Sequence, residues 1–281
     1  SGLVAAMASA GAHVEKPTND GATPAPIAAQ KGHEGVRRLL AEHGANVNSP
    51  NNNGATPAYI AAQNGHMEVL RLLAELGANV NTPTDKGGTP AYIAAQYGNV
   101  EVVRLLAELG ANVETPHNNG ATAACVAAQK GHVEVVRLLA ELGANVKTPA
   151  NGGSTPVCVA AAQGHAEVVR LRAELGVNVT PPLSHDGSTP AFVAAQNGHL
   201  EVVRVLAELG ANVDTPMNDG ATPAFVAAAN GHVDVLRLLG GPGASVVTPA
   251  TGGRSPAYVA AQEGHAEVVR VLAELGASIE T

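Results

Sequence analysis

The sequence predicts an all-α solenoid: one domain over residues 1–281, made of eight stacked helix–turn–helix units behind a leading half unit. Three observations predict it. The segment Thr-Pro-Ala-x-(Ile/Val)-Ala-Ala recurs, with its Thr or Ser at Thr23, Thr56, Thr89, Thr122, Thr155, Thr189, Thr222 and Ser255. The intervals are 33, 33, 33, 33, 34, 33 and 33 residues, and a fixed period of that length marks a repeat array. Seven of the eight copies continue into Gly-His, the third into Gly98-Asn99, and each then runs close to EVVRLLAELGANV. Finally, helices of about ten residues are marginal alone in water, so their apolar stripes must be buried against neighbouring copies. The half repeat covers 1–16. Full repeats start near residues 17, 50, 83, 116, 149, 182, 216 and 249.

Each unit reads as inner helix, turn, outer helix, loop. Thr23 followed by Pro24 is an N-cap with Pro at the first helical position, where a missing N–H costs nothing. The inner helix is expected to end at Gly32. In the second copy the outer helix is expected over about Glu68 to Leu76, with Gly77 as a left-handed C-terminal cap. Val69, Leu70, Leu72, Leu73 and Leu76 form its apolar stripe. Glu68, Arg71 and Glu75 make a charged ladder on the other side.

Composition narrows the function. Sixteen Lys plus Arg against 24 Asp plus Glu leave a net charge of −8, which argues against nucleic acid as a partner. Gly, Pro, Asn or a charge interrupts every candidate run of 18 apolar residues, so no membrane insertion is expected. Two cysteines cannot make a disulfide framework, which favours a reducing, cytoplasmic compartment. No phosphate-binding GxxxxGK[ST] loop, HExxH, CxxC or nucleophile elbow occurs. The expectation is therefore no catalysis, no cofactor and no metal.

The 33-residue period and the pattern TPxxxAAxxGHxEVVRLLxxxGAxV resemble ankyrin repeats, over nearly all 281 residues. The departures are systematic. The family's usual TPLH is here TPA followed by an aromatic or Cys, as in Thr56–Ala62, and its LLLEAGA is LLAELGA, as in Leu72–Ala78. These read as one volume-conserving repacking of the same core. The resemblance implies an interaction scaffold that grips another protein or peptide along its concave side, through hairpin tips and the inner-helix residues before the Gly-His turn.

Position-matching places that face at Asn19, Asp20, Gln30 and Lys31 in the first unit, then Asn52, Asn53, Gln63 and Asn64 in the second. The third contributes Asp85, Lys86, Gln96 and Tyr97, and the fourth Asn118, Asn119, Gln129 and Lys130. Later units add His185, Asp186, Gln196, Asn197, Asn218, Asp219, Asn230, Arg254, Gln262 and Glu263. The set is rich in amides, and only Tyr97 and Arg254 belong to the usual anchor types. Two readings stand side by side: a partner surface, to which an extended peptide or a glycan would also be suited, and a generic hydrated surface left by repeat duplication.

Five of the six aromatics share one repeat column: Tyr59, Tyr92, Phe192, Phe225 and Tyr258, with Pro26, Cys125 and Cys158 in the same place. A ligand-stacking strip is the functional reading of that column, and inter-repeat packing is the favoured one. Cys125 and Cys158 are expected to remain thiols. The recurring histidines His33, His66, His132, His165, His199, His232 and His265 fall one repeat apart, too far to converge on one ion. Each is expected to tie its turn to the neighbouring hairpin, as the resemblance also implies. By resemblance, Asn48 and Asn81 sit where animal ankyrin repeats are hydroxylated, while Glu114, Lys147, Thr180 and Asp214 fill the equivalent positions.

Three breaks in the pattern cluster late. Arg172 replaces the apolar residue found at Leu73, Leu106, Leu139 and Leu206, and is expected to snorkel to solvent. Thr180-Pro181-Pro182 supplies the extra residue of the 34-step, and Gly240-Gly241-Pro242 should end the seventh outer helix early. A softer zone is expected between residues 170 and 250. The last outer helix keeps the apolar pattern of internal units, although terminal repeats need a polar outer face. Self-association through uncapped ends, or a place as the targeting arm of a larger enzyme or channel, are therefore the alternatives to partner binding.

Overall fold

A computed structural model describes residues 23–33, 35, 42, 44–180, 186–241 and 245–278. The half repeat 1–16, together with Asn19, Asp20, Pro181, Pro182, His185 and Pro242, lies outside the described residues. Fifteen helices and no strand occur among the described residues. The inner helices are α1 (Pro24–Gln30), α2 (Pro57–Gln63), α4 (Pro90–Gln96), α6 (Ala123–Gln129), α8 (Pro156–Ala162), α10 (Pro190–Gln196), α12 (Pro223–Ala229) and α14 (Pro256–Gln262). The outer helices are α3 (Met67–Glu75), α5 (Val100–Glu108), α7 (Val133–Glu141), α9 (Ala166–Glu174), α11 (Leu200–Glu208), α13 (Val233–Gly240) and α15 (Ala266–Glu274). The helical units of the ankyrin-like reading are therefore present. α1 stops two residues before Gly32, and α3 starts and stops one residue earlier than the sequence suggested.

The inner helices start where the threonines place them. The hydroxyls of Thr56, Thr89, Thr155, Thr189, Thr222 and Ser255 accept from the N–H three residues on, at 3.1–3.4 Å. That bond satisfies one donor the first turn would otherwise leave bare. Thr23 stands in the same extended conformation, yet its hydroxyl makes no cap bond. The outer helices α3, α5, α9, α11, α13 and α15 carry no side-chain cap at their His or Asn N-termini. Their stability comes from burial: Val69, Leu70, Leu72 and Leu73 of α3 are all buried, as are Val102, Val103, Leu105 and Leu106 of α5. Each such side chain contributes about 1.5–3 kcal/mol on leaving water, which no isolated nine-residue helix could obtain.

The chain divides into two compact units, residues 1–127 with 134–146, and residues 128–133 with 147–281. Within the first, α1 packs on α2, α2 on α4 and α3 on α5. Within the second, α8, α10, α12 and α14 pack in succession, as do α9, α11, α13 and α15. Three polar links join consecutive repeats inside each unit.

The first link is the histidine. Nε2 of His66, His165, His199, His232 and His265 lies 2.9–3.1 Å from the carbonyl of Gln30, Gln129, Ala162, Gln196 and Ala229. A carbonyl only accepts, so Nε2 carries the proton. Each of these carbonyls belongs to the last residue of the preceding inner helix, an acceptor the helix itself cannot satisfy. The histidine therefore ties to that helix end and not to the hairpin. Asn99 reaches the same helix end with Nδ2, 3.4 Å from Gln63 O, the last residue of α2, and 3.2 Å from Ala62 O beside it. The Gly of each Gly-His turn is the counterpart. Gly198 sits at φ +73°, and a Cβ there would lie 2.6 Å from His232 Nδ1.

The second link joins hairpin tips. Asp85 N donates to Asn53 O, Asn118 N to Lys86 O, Asn218 N to Asp186 O and Thr251 N to Asp219 O, at 2.8–3.2 Å. The third is a column of side-chain acceptors. Asn48 Oδ1, Asn81 Oδ1, Glu114 Oε1 and Asp214 Oδ2 each accept from the backbone N–H 31 residues on: Asn79, Asn112, Asn145 and Ser245.

Arg172 departs from expectation. It does not snorkel but is fully buried, at 0% exposure, in the place that leucines hold in other outer helices. The helix backbone fixes its direction, and α8 and α11 pack around α9, leaving no path for the side chain to reach water. Gly240 behaves as expected: α13 is eight residues long where α11 and α15 are nine. A Cβ at Gly240 would lie 2.5 Å from Leu275 Cδ1, so the leucine's end would have to shift to admit it.

Candidate functional site

The face formed by inner helices and hairpin tips contains a groove of about 490 Å³ in the first unit. From α1 it takes Pro26, Ile27 and Gln30, and from α2 the equivalent Tyr59, Ile60 and Gln63. Asn51, Asn53 and Ala55 come from the hairpin between them, and Thr84, Asp85 and Lys86 from the next hairpin. On a helix the positions i, i+1 and i+4 share one side, so the same three positions of successive repeats make one continuous floor and wall. The floor is apolar. Ile27 is 42% exposed, against 5% for the equivalent Ile93.

The groove lies where the aromatic column is interrupted by Pro26. In the aromatic column, Tyr92 and Phe192 are buried and Phe225 and Tyr59 partly so, which is the packing role. Pro26, itself buried, is smaller than the aromatics of the column and lines the groove beside Tyr59. Cys125 and Cys158 also sit in this column, both buried and neither in a disulfide. Tyr92 is further held by a stacked His117, ring centroids 5.1 Å apart.

Of the predicted face residues, Gln30, Asn53, Gln63, Asp85 and Lys86 come together in the groove. Gln63 Nε2 donates to the Tyr97 hydroxyl at 3.2 Å, extending the wall to the third repeat, where Tyr97 is 54% exposed. Lys31, Asn52, Asn118, Asn119, Gln129, Lys130, Gln262, Glu263 and Arg254 are exposed outside it, and Gln96 is half-buried. Several face residues, Asn118 and Asn119 among them, are engaged within the fold. Asn64, Asn197 and Asn230 turn their Nδ2 back onto the carbonyls of Ile60, Val193 and Val226, sealing inner-helix ends. Asp186 Oδ1 accepts from Ser188 N, Asp219 Oδ1 from Ala221 N and Asn119 Oδ1 from Ala121 N. Asn118 Nδ2 donates to Asp85 O, while Asn218 and Gln196 take part in inter-repeat bonds through their backbones. These groups hold turns together before they meet any partner.

Pro26, Ile27, Asn51, Ala55, Tyr59, Ile60 and Thr84 were not in the predicted face. The signal for them was present in the break of the aromatic column at Pro26. Burial, with a smaller contribution from Tyr97, pushes the Tyr59 phenol above its ordinary value, so at neutral pH it is an uncharged donor and acceptor.

The opposite surface is charged and self-paired. Arg104, Arg137, Arg170, Arg204 and Arg270 each lie within 4 Å of the Glu three residues earlier. Arg170 also reaches Glu208, and Arg237 reaches Glu267 and Glu274 of the next repeat. Among the described residues, no three His, Cys, Asp or Glu side chains are grouped to hold a metal ion. No helix among them is long and apolar enough to cross a membrane.

A family model of three ankyrin repeats matches residues 2–84, 76–150, 92–181, 147–217 and 214–281. The chain belongs to the ankyrin-repeat family. Comparison with curated proteins finds no match. Ankyrin repeats are generally protein–protein interaction modules, and the family is typically non-enzymatic. In this ankyrin-repeat chain the outer-helix surface carries intramolecular ion pairs, whereas the groove has an apolar floor and amide walls.

Proposed function

We propose that this ankyrin-repeat chain is a non-enzymatic scaffold that binds another protein or peptide along its inner-helix and hairpin face, centred on the groove of the first repeats. The supporting observation is the convergence of Gln30, Asn53, Gln63, Asp85 and Lys86 on one apolar-floored groove. Those residues come from two inner helices and two hairpin tips. Apolar floors with a few placed polar groups are what ligand sites have in common. Exposed Ile27 and Tyr97 are the anchors such a site needs. The test is selection of peptides from a displayed library on the chain, followed by binding to a Gln30→Arg, Asn53→Arg, Gln63→Arg variant. The selected peptides are expected to lose about tenfold or more in affinity. Undiminished binding to the variant removes the groove as the contact.

A second reading rests on Tyr258. It is 50% exposed, whereas Tyr92 and Phe192 at the same column are buried. Association of this face with a second copy predicts concentration-dependent mass in sedimentation. That dependence should be abolished by Tyr258→Glu; a constant monomer mass eliminates it.

A further inference from the structure

We propose that the groove takes an extended proline-rich segment in the polyproline conformation, seating one aliphatic side chain per repeat. The inference rests on the groove being the partner site and names the chemistry of that partner.

The repeat spacing carries it. Ile27 and Gln30 of α1 recur as Ile60 and Gln63 of α2, and packed helix axes lie about 8–10 Å apart. A ligand that meets both repeats in the same way must present equivalent groups at that interval. A polyproline helix has three residues per turn and advances about 3.1 Å per residue, so every third side chain returns to the same face after about 9.3 Å. A β-strand cannot do this. Its side chains alternate, so residues three apart point to opposite sides.

Donor chemistry points the same way. A proline-rich backbone offers carbonyls with few N–H groups, so its groove must supply donors. Gln30, Gln63, Asn51 and Asn53 line the walls, and each amide carries two N–H donors. Gln63 gives one N–H to the Tyr97 hydroxyl, which leaves one for the ligand. The floor suits pyrrolidine rings: Pro26, the Tyr59 ring and Ile60 sit beside Ile27, which is the most solvent-open of them at 42%, and polyproline segments dock in aromatic-lined grooves. Charge adds nothing to either side, because Asp85 and Lys86 offset each other. The ligand is therefore an uncharged segment of about six residues over two repeats.

The test is fluorescence anisotropy with a labelled twelve-residue peptide of repeating Leu-Pro-Pro, against a peptide of the same composition with the leucines at irregular spacing. Saturable binding is expected, with the regular peptide about tenfold tighter or more. Pro26→Tyr places in the groove the residue that Tyr59 and Tyr92 supply in the next repeats, and should abolish binding at an unchanged melting temperature. Ile27→Gln, at an exposed position, should weaken binding about tenfold and serves should the first variant not fold. Equal binding of both peptides, no binding of either at millimolar concentration, or indifference to both substitutions overturns the proposal. If library-selected peptides still depend on Gln30, Asn53 and Gln63 while Leu-Pro-Pro does not bind, the partner site stands and the polyproline ligand falls.

Discussion

At the scale of single residues, Arg172 is the sharpest conflict between sequence and packing. Leu73, Leu106, Leu139 and Leu206 fill the equivalent place and are buried without polar atoms, whereas Arg172 brings a guanidinium to 0% exposure. Even a paired charge buried in this way is often improved upon by an apolar side chain of similar volume. Arg172→Leu is expected to stabilise the chain by about 1–4 kcal/mol, read as a higher denaturant midpoint; a lower midpoint would mean that the charge organises the helices around it. Nearby, burial pushes the Cys158 thiol above the ordinary value of 9.0, against a hydrogen bond from Thr155 and the lowering field of Arg172. The folded state then holds this proton more tightly than the unfolded chain does. The stability is complete below about pH 9 and is lost as pH rises towards the folded value. Melting temperature against pH should fall more steeply in the native chain than in Cys158→Ala above that point, and superimposable curves would contradict the assignment.

Among the elements, the inner-helix end is where repeats are joined, and its chemistry separates two substitutions that look alike in sequence. His165 Nε2 donates to Gln129 O, and Asn99 directs its amide Nδ2 to the equivalent Gln63 O at 3.4 Å, shared with Ala62 O at 3.2 Å. His165→Asn should therefore retain most of the interaction. His165→Ala leaves the carbonyl at the end of α6 unsatisfied and should cost about 0.5–1.5 kcal/mol more than the Asn variant. Equal destabilisation by both would show that ring packing over the preceding glycine matters more than the bond. This pairing also shows the limit of reading the sequence. The 33-residue period, the threonine caps and the apolar stripe of each outer helix were legible, because propensity, capping and amphipathicity are local. The histidine's acceptor was not, because an atom 36 residues away is found only when units are stacked. The same holds for the face residues. Asn197 and Asn230 read as solvent-facing amides, yet their Nδ2 groups are spent on the carbonyls of their own helices. Pro26, by contrast, was visible as a break in a column, and only the stacked units show the groove it lines.

For the molecule as a whole, stability is a sum of units and of interfaces between nearest neighbours, so a lost interface bond weakens its own neighbourhood and is not spread along the chain. The acceptor column tests this. Asn48, Asn81, Glu114 and Asp214 each take the N–H 31 residues on, but the column reads Lys147 and then Thr180 between the third and fourth of these. An ammonium only donates, and the Thr180 hydroxyl is turned to Asn178 Oδ1 at 2.6 Å. Two consecutive interfaces therefore have no carboxylate or amide acceptor in this column, and Arg172 lies between them in α9. Opening should begin here. Native-state hydrogen exchange is expected to show less protection for the amides of α8 and α9 than for those of α2–α5. Lys147→Asn restores an acceptor facing Asn178 N and should raise protection in α8 and α9 by about 0.5–1.5 kcal/mol, while α2–α5 stay unchanged. A gain distributed evenly over all helices would mean that the array opens as one cooperative body. No gain at all would mean that the column follows the stacking of repeats without supporting it.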